Sequence, residues 1–267
     1  MFYNLGMNID SHLLISISLA FVSGLVPALI WLWFWTREDK ENPEPKSMIA
    51  LAFLGGTIAV FVSLFLEKYL YSIGLKEIFT SSVFSNIISW FETIAKNNNL
   101  LLDKVLLVIV FAPIIEELAK FIMAYLLVLN SKYNDEPLDP MIYMIATALG
   151  FAAIENTLFL INIFDKNNII LSVYTGNMRF IGATLLHIIS STVIGIFMSL
   201  HFFDKKVKKR LFIILGIICS IIIHAIFNYF MIGNQKSCML ALELIWITVI
   251  IVLLIFEKIK KIKLEKI

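Results

Sequence analysis

The chain has 267 residues, 60% of them hydrophobic and 16% charged, with a formal net charge of +2 and a mean hydropathy of +0.88. That balance excludes an ordinary soluble domain, in which polar and apolar residues are roughly even, and so small a net charge makes no case for a nucleic-acid partner. The expected class is all-α: a polytopic transmembrane helix bundle with residues 1–267 as a single transmembrane domain.

Apolar blocks about 20 residues long, the length that crosses a hydrocarbon core of about 30 Å, predict about seven spans. They fall at residues 11–35, 48–66, 100–129, 141–164, 179–203, 211–232 and 239–256. The first is read as a span rather than a secretory leader, because residues 1–10 carry no Lys or Arg and the apolar run is too long. It is followed by an acidic, proline-containing loop, "REDKENPEPK" (37–46). The longest stretch between spans, 67–99, contains "VFSNIISWFETIAK" (83–96), whose apolar spacing is helical. It is expected either on the outer face of the membrane or as a loose extracellular helix. The third span holds "PIIEELAKF" (113–121), in which Pro113 has no N–H and should kink the helix about one turn before Glu116. Gly150 and Gly195 are expected where helices approach closely. Cys219 and Cys238 are about 28 Å apart at 1.5 Å per residue, too far to bridge. The sequence has no zinc-type cysteine spacing, no phosphate-binding glycine loop and no internal repeat.

The basic stretches "DKKVKKR" (204–210) and "EKIKKIKLEKI" (257–267), with Arg37, Lys40, Lys46 and Lys132, fall on one side of a seven-span topology. The other side holds only Lys68, Lys76, Lys96, Lys104, Lys166 and Lys236. Basic residues favour the cytoplasmic side. The expected location is therefore the cell membrane, multi-pass, with the amino terminus outside and the carboxyl terminus in the cytoplasm.

A charge near the bilayer centre costs about 2.5 to 3.5 kcal/mol on insertion scales, so each one needs a partner or a task. The residues concerned are Glu116, Glu117 and Lys120 in the third span, Glu155 and Asn156 in the fourth, His187 in the fifth, and His224 and Asn228 in the sixth. His12, Asp103, Arg179, His201 and Glu243 lie near span ends, where snorkelling explains them. At 1.5 Å per residue from the cytoplasmic ends, Glu116 is about 20 Å deep, Glu155 about 21 Å, His187 about 24 Å and His224 about 20 Å. Four helices thus place ionisable groups in one layer. Lys120 lies three residues from Glu117 and four from Glu116, so it can neutralise one of them and leave the other.

Carboxylates, imidazoles and an amide at one depth suit water activation. A glutamate takes a proton from water, and an imidazole with an adjacent amide donates hydrogen bonds to the oxyanion formed on a peptide carbonyl. The same residue types suit Zn²⁺ with an open position for water. The residues alone do not choose between the two.

"EELAK" (116–120), "GFAAIEN" (150–156), "RFIGATLLHIISSTVIG" (179–195) and "HAIFN" (224–228), with the "REDKENPEPK" loop, resemble the ordered motifs of the PrsW family of intramembrane proteases. The resemblance runs from about residue 30 to 230. That family is similar to the CAAX prenyl-protease superfamily, which shares a paired-glutamate motif and a late His-x-x-x-Asn. The resemblance implies a peptidase acting on a membrane-anchored protein, with an anti-sigma factor as the implied substrate. It makes Glu116 the base, Glu117 a supporting carboxylate held by Lys120, and His224 and Asn228 the oxyanion donors. Glu155 stands where the CAAX proteases have histidine, and His187 orients water or the base, or binds a metal. No cofactor is required in this reading, with Zn²⁺ as its alternative. Two rivals are a proton- or cation-coupled transporter and a non-catalytic scaffold of the same fold, as in the scaffold subunit of gamma-secretase. A single polar layer without repeated halves argues against the first, and the presence of every motif position against the second.

Overall fold

The computed structural model describes residues 11–39, 42–75, 85–164 and 181–262, and among these the chain is helical without a strand. The helices are α1 (Ser11–Glu38), α2 (Lys46–Ile73), α3 (Ser85–Asn97), α4 (102–129), α5 (Asp139–Phe164), α6 (Ala183–Leu200), α7 (Lys206–Ile232) and α8 (Gln235–Ile262). Six of them, α1, α2, α5, α6, α7 and α8, are long and apolar enough to cross a membrane. The expected third span is α4, which carries the paired glutamates and is not a uniform α-helix. Its backbone is α-helical over Leu102–Leu106, π-helical over Leu107–Phe111, α-helical over Ala112–Ala124 and π-helical again over Tyr125–Leu129. The first π-turn ends two residues before Pro113, where the kink is expected. Arg179, the start of the span expected from residue 179, and Lys40, Lys76, Lys166, Lys263 and Lys266 lie outside the described residues.

Helix α5 is the centre of the bundle. It packs against α1, α2 and α6, and its side chains from Met141 to Ala153 are buried. The outer helices turn Phe65, Leu126, Ile250 and Leu254 outward, as expected where the surrounding solvent is lipid. The α2–α5 crossing depends on two glycines facing opposite backbones. A Cβ on Gly56 would lie 1.9 Å from the Thr147 carbonyl oxygen, and one on Gly150 would lie 1.9 Å from that of Phe53. Gly195 similarly faces the Met141 backbone. We expect Gly150→Ala to lower stability by about 3 kcal/mol, the upper part of the usual overpacking range, because backbone cannot swing aside as a side chain can. An unchanged melting temperature of the purified variant would refute this.

Two local features fix the ends of the bundle. The loop before α2 is strapped to the start of α5: Glu44 accepts a hydrogen bond from the Tyr143 hydroxyl, and Asn42 donates to Glu136 at 2.6 Å. Burial of Glu44 raises its carboxyl pKa from the ordinary glutamate value. Asp139 accepts from the backbone N–H groups of Asp135 and Glu136 at 2.8 and 2.6 Å, turning the chain into α5, where Pro140 suits the first helical turn. At the other end, α3 packs Phe91 and Ala95 against Val105, Leu106 and Ile109 of α4, and Trp90 stacks on Tyr229 of α7 with ring centroids 5.5 Å apart. Helix α3 is therefore docked on the bundle rather than loose. Both cysteines are free.

Candidate active site

The layer expected from span depths is a cluster of touching side chains. Glu116, Glu117 and Lys120 come from α4, Glu155 from α5, His187 from α6 and His224 from α7. Glu117 is at its centre and has no exposure. Its Oε1 accepts from the Lys120 ammonium at 2.6 Å, the Ser190 hydroxyl at 2.9 Å and His224 Nδ1 at 2.8 Å. Its Oε2 accepts from Ser191 at 3.1 Å and Ser220 at 3.0 Å. Helical spacing assembles this cradle: Ser190 and Ser191 follow His187 by one turn of α6, and Ser220 precedes His224 by one turn of α7. A buried ion pair loses several kcal/mol of hydration per ion and is tolerated only when its remaining lone pairs are satisfied. Here they are, which explains how an acid and a base can lie side by side in an apolar span. Lys120 also sits 4.9 Å from the centroid of Phe151, whose face favours a cation.

These contacts assign the histidine tautomers. A carboxylate only accepts, so His224 donates from Nδ1 to Glu117 and presents the lone pair of Nε2. An ammonium only donates, so His187 accepts from Lys120 at Nδ1, 3.2 Å away, and donates from Nε2 to Glu155 Oε2 at 2.9 Å. His187 Nδ1 and His224 Nε2 lie 3.9 and 3.8 Å from Glu116 Oε2. That oxygen is buried and has no hydrogen-bond partner. Two ring nitrogens, each without a hydrogen of its own in these tautomers, therefore converge on the Glu116 carboxyl.

Such a set is suited to a cation. One oxygen of Glu116 and one nitrogen each of His187 and His224 lie within 4.8 Å of one another. Two imidazoles and one carboxylate are the donors of many catalytic zinc sites with an open position for water. Each imidazole also has a carboxylate behind it, Glu117 for His224 and Glu155 for His187, the arrangement that fixes the ring of a metal-bound histidine. The residues present fit a divalent metal ion that displaces the Lys120 ammonium from the single lone pair of His187 Nδ1.

Two expected residues lie outside the cluster. Asn228, one turn beyond His224, donates from Nδ2 to the Val108 carbonyl at 2.9 Å. Asn156 donates to Thr184 at 2.9 Å and ties α5 to α6, as a structural residue would. Of the span-end candidates, His201 pairs with Asp204 at 2.7 Å and stacks on Phe212. Glu67 of α2 was not among the expected residues, yet it is close enough to Glu155 and Glu116 for their charges to interact. It lies just past residue 66, where the second span is expected to stop, whereas α2 continues to Ile73.

Residues 44–256 match the family model described as PrsW family intramembrane metalloprotease. Protease PrsW of Clostridioides difficile (strain 630) is 25% identical over 248 residues, covering 92% of this chain and 90% of that protein. Protease PrsW of Geobacillus kaustophilus (strain HTA426) is 22% identical over 217 residues, covering 80% of each chain. Protease PrsW of Bacillus subtilis (strain 168) is 24% identical over 139 residues, covering 52% of each. No solved structure gives a significant match. The matched region encloses every residue of the buried cluster, and with it the chain belongs to the PrsW family of intramembrane proteases, as a multi-pass membrane peptidase acting on a membrane protein.

Proposed function

We propose that the Glu116–His187–His224 cluster is the hydrolytic centre and that it works with a divalent metal ion such as Zn²⁺. The observation that carries this reading is the convergence of Glu116 Oε2, His187 Nδ1 and His224 Nε2, with a carboxylate behind each ring. A metal ion there supplies Lewis acidity and makes water a nucleophile near neutral pH. The chain's own residues do the rest. Glu116, His187 and His224 would hold the ion, and Glu117 and Glu155 hold the imidazoles in the required tautomers. Glu116, through its second carboxylate oxygen, takes the proton that water loses as its oxygen bonds to the peptide carbonyl carbon. It returns that proton to the departing amine as the C–N bond breaks. In a second reading, favoured by the Lys120 contact on His187, Glu116 alone is the base that activates water and no metal is needed. His224 then stabilises the oxyanion as an imidazolium, donating from Nε2 while Nδ1 stays on Glu117.

Metal analysis separates the two. We expect purified protein to hold about one divalent ion per chain, His187→Ala to abolish binding, and Glu155→Gln to weaken it about 10- to 100-fold, the usual cost of losing a carboxylate behind a ligand. Activity that survives chelation with no ion bound would establish Glu116 as a metal-free base. The substrate we assign, on the family resemblance, is a membrane-anchored anti-sigma factor. The orientation we assign, on the distribution of basic residues, has the amino terminus outside and the carboxyl terminus in the cytoplasm. Comparing membrane proteins that accumulate in cells carrying wild type or Glu116→Gln tests the substrate, since an anti-sigma factor should be stabilised only in the variant.

A further inference from the structure

We propose that Asn228 is a positioning residue that replaces the backbone N–H missing at Pro113 and so holds the π-turn that aims Glu116 into the centre. The inference rests on the reading of that centre given above. In the π-turn Leu107–Phe111, the backbone N–H of Ala112 bonds to the Leu107 carbonyl, five residues back. Continued by one residue, that register calls on the N–H of residue 113 to bond to the Val108 carbonyl. Residue 113 is proline and has none. A carbonyl left unpaired inside a membrane protein is costly, because no water replaces the lost donor. The side-chain amide of Asn228 supplies it, at 2.9 Å.

The consequence for the site is geometric. A π-turn accommodates one extra residue, and one residue is about 100° of helix rotation, so its presence sets the direction in which Glu116 and Glu117 leave the helix. Helix α7 holds α4 on both sides of the proline: Asn228 on Val108 before it, and His224 on Glu117 after it. Glu116 lies between these two grips. Asn228 and His224, four residues apart on one helix face, thus perform different tasks, the first acting on the backbone that carries Glu116 and the second on the centre itself.

A double-substitution cycle tests this. Full-length protein in lipid nanodiscs is assayed on a single-pass membrane substrate as wild type, Asn228→Ala, Pro113→Ala and the double variant, with Glu116→Gln as control. Pro113→Ala restores a backbone donor at residue 113. We expect Asn228→Ala to lower kcat at least tenfold with KM nearly unchanged and to lower the melting temperature, Pro113→Ala to behave as wild type, and the double variant to recover both quantities. If Asn228→Ala does not fold, a double variant that folds and cleaves gives the same support. Full activity of Asn228→Ala, or a double variant that stays inactive or unfolded, would overturn the proposal, and a folded, inactive double would mean that the amide acts on the substrate. Activity in Glu116→Gln would sink the reading of the centre instead. The melting-temperature cycle would still decide the role of Asn228, because it does not depend on the chemistry.

Discussion

Glu116→Gln should abolish peptide-bond cleavage, by at least about 10²- to 10⁴-fold, the range expected for losing a general acid or base, while the purified protein folds as well as wild type. The two halves of this expectation have separate causes. Glutamine keeps the volume of glutamate and replaces an oxygen that makes no hydrogen bond in the resting site, so packing loses nothing. It also replaces the carboxyl group at the one place that His187 Nδ1 and His224 Nε2 both approach. As a ligand it is too weak to hold a metal, and as a base it cannot take a proton. The residue is thus required whichever way water is activated. Cleavage of a reconstituted single-pass substrate, with thermal unfolding measured in parallel, is the check. Wild-type turnover in the variant would remove Glu116 from the chemistry.

The sequence showed where the polar layer is better than how it is wired. Lipid makes charge expensive, so Glu116, Glu117, Glu155, His187 and His224 stood out against apolar spans, and depth counting brought them to one level. Lys120 is within helical reach of both Glu116 and Glu117, and spacing alone left its partner open. The structure pairs it with Glu117 at 2.6 Å. Ser190, Ser191 and Ser220 were illegible because a serine in a span ordinarily bonds to its own helix backbone, and only tertiary packing turns three of them toward one carboxylate. The π-turn was half legible. Pro113 predicted a disturbance at the right place, but whether a helix answers a missing donor by bending or by taking in an extra residue depends on what the neighbouring helix offers, here Asn228. Glu67 was hidden for a different reason: a charged pair, Glu67–Lys68, imitates the end of a span, and nothing in the local pattern shows that α2 continues past it.

Glu117→Gln should be the more damaging substitution for the fold although it lies further from the reacting atoms. Every group that touches this carboxylate is a donor: Lys120, Ser190, Ser191, Ser220 and His224. Glutamine would turn an NH₂ toward some of them and leave the Lys120 ammonium buried without its counter-charge. Breaking a buried ion pair from one side costs about 3 to 5 kcal/mol, so a lowered melting temperature and poor membrane accumulation are expected. Pairing it with Lys120→Met separates structure from function. Removing both charges should restore most of the stability, since an uncharged pair is tolerated where a lone buried charge is not. Activity should remain low, because His224 Nδ1 then has no carboxylate to fix its tautomer and aim Nε2 at Glu116. A double variant that regained both stability and cleavage would show that Glu117 only neutralises Lys120. A stable but inactive one would place Glu117 in the orientation of the centre.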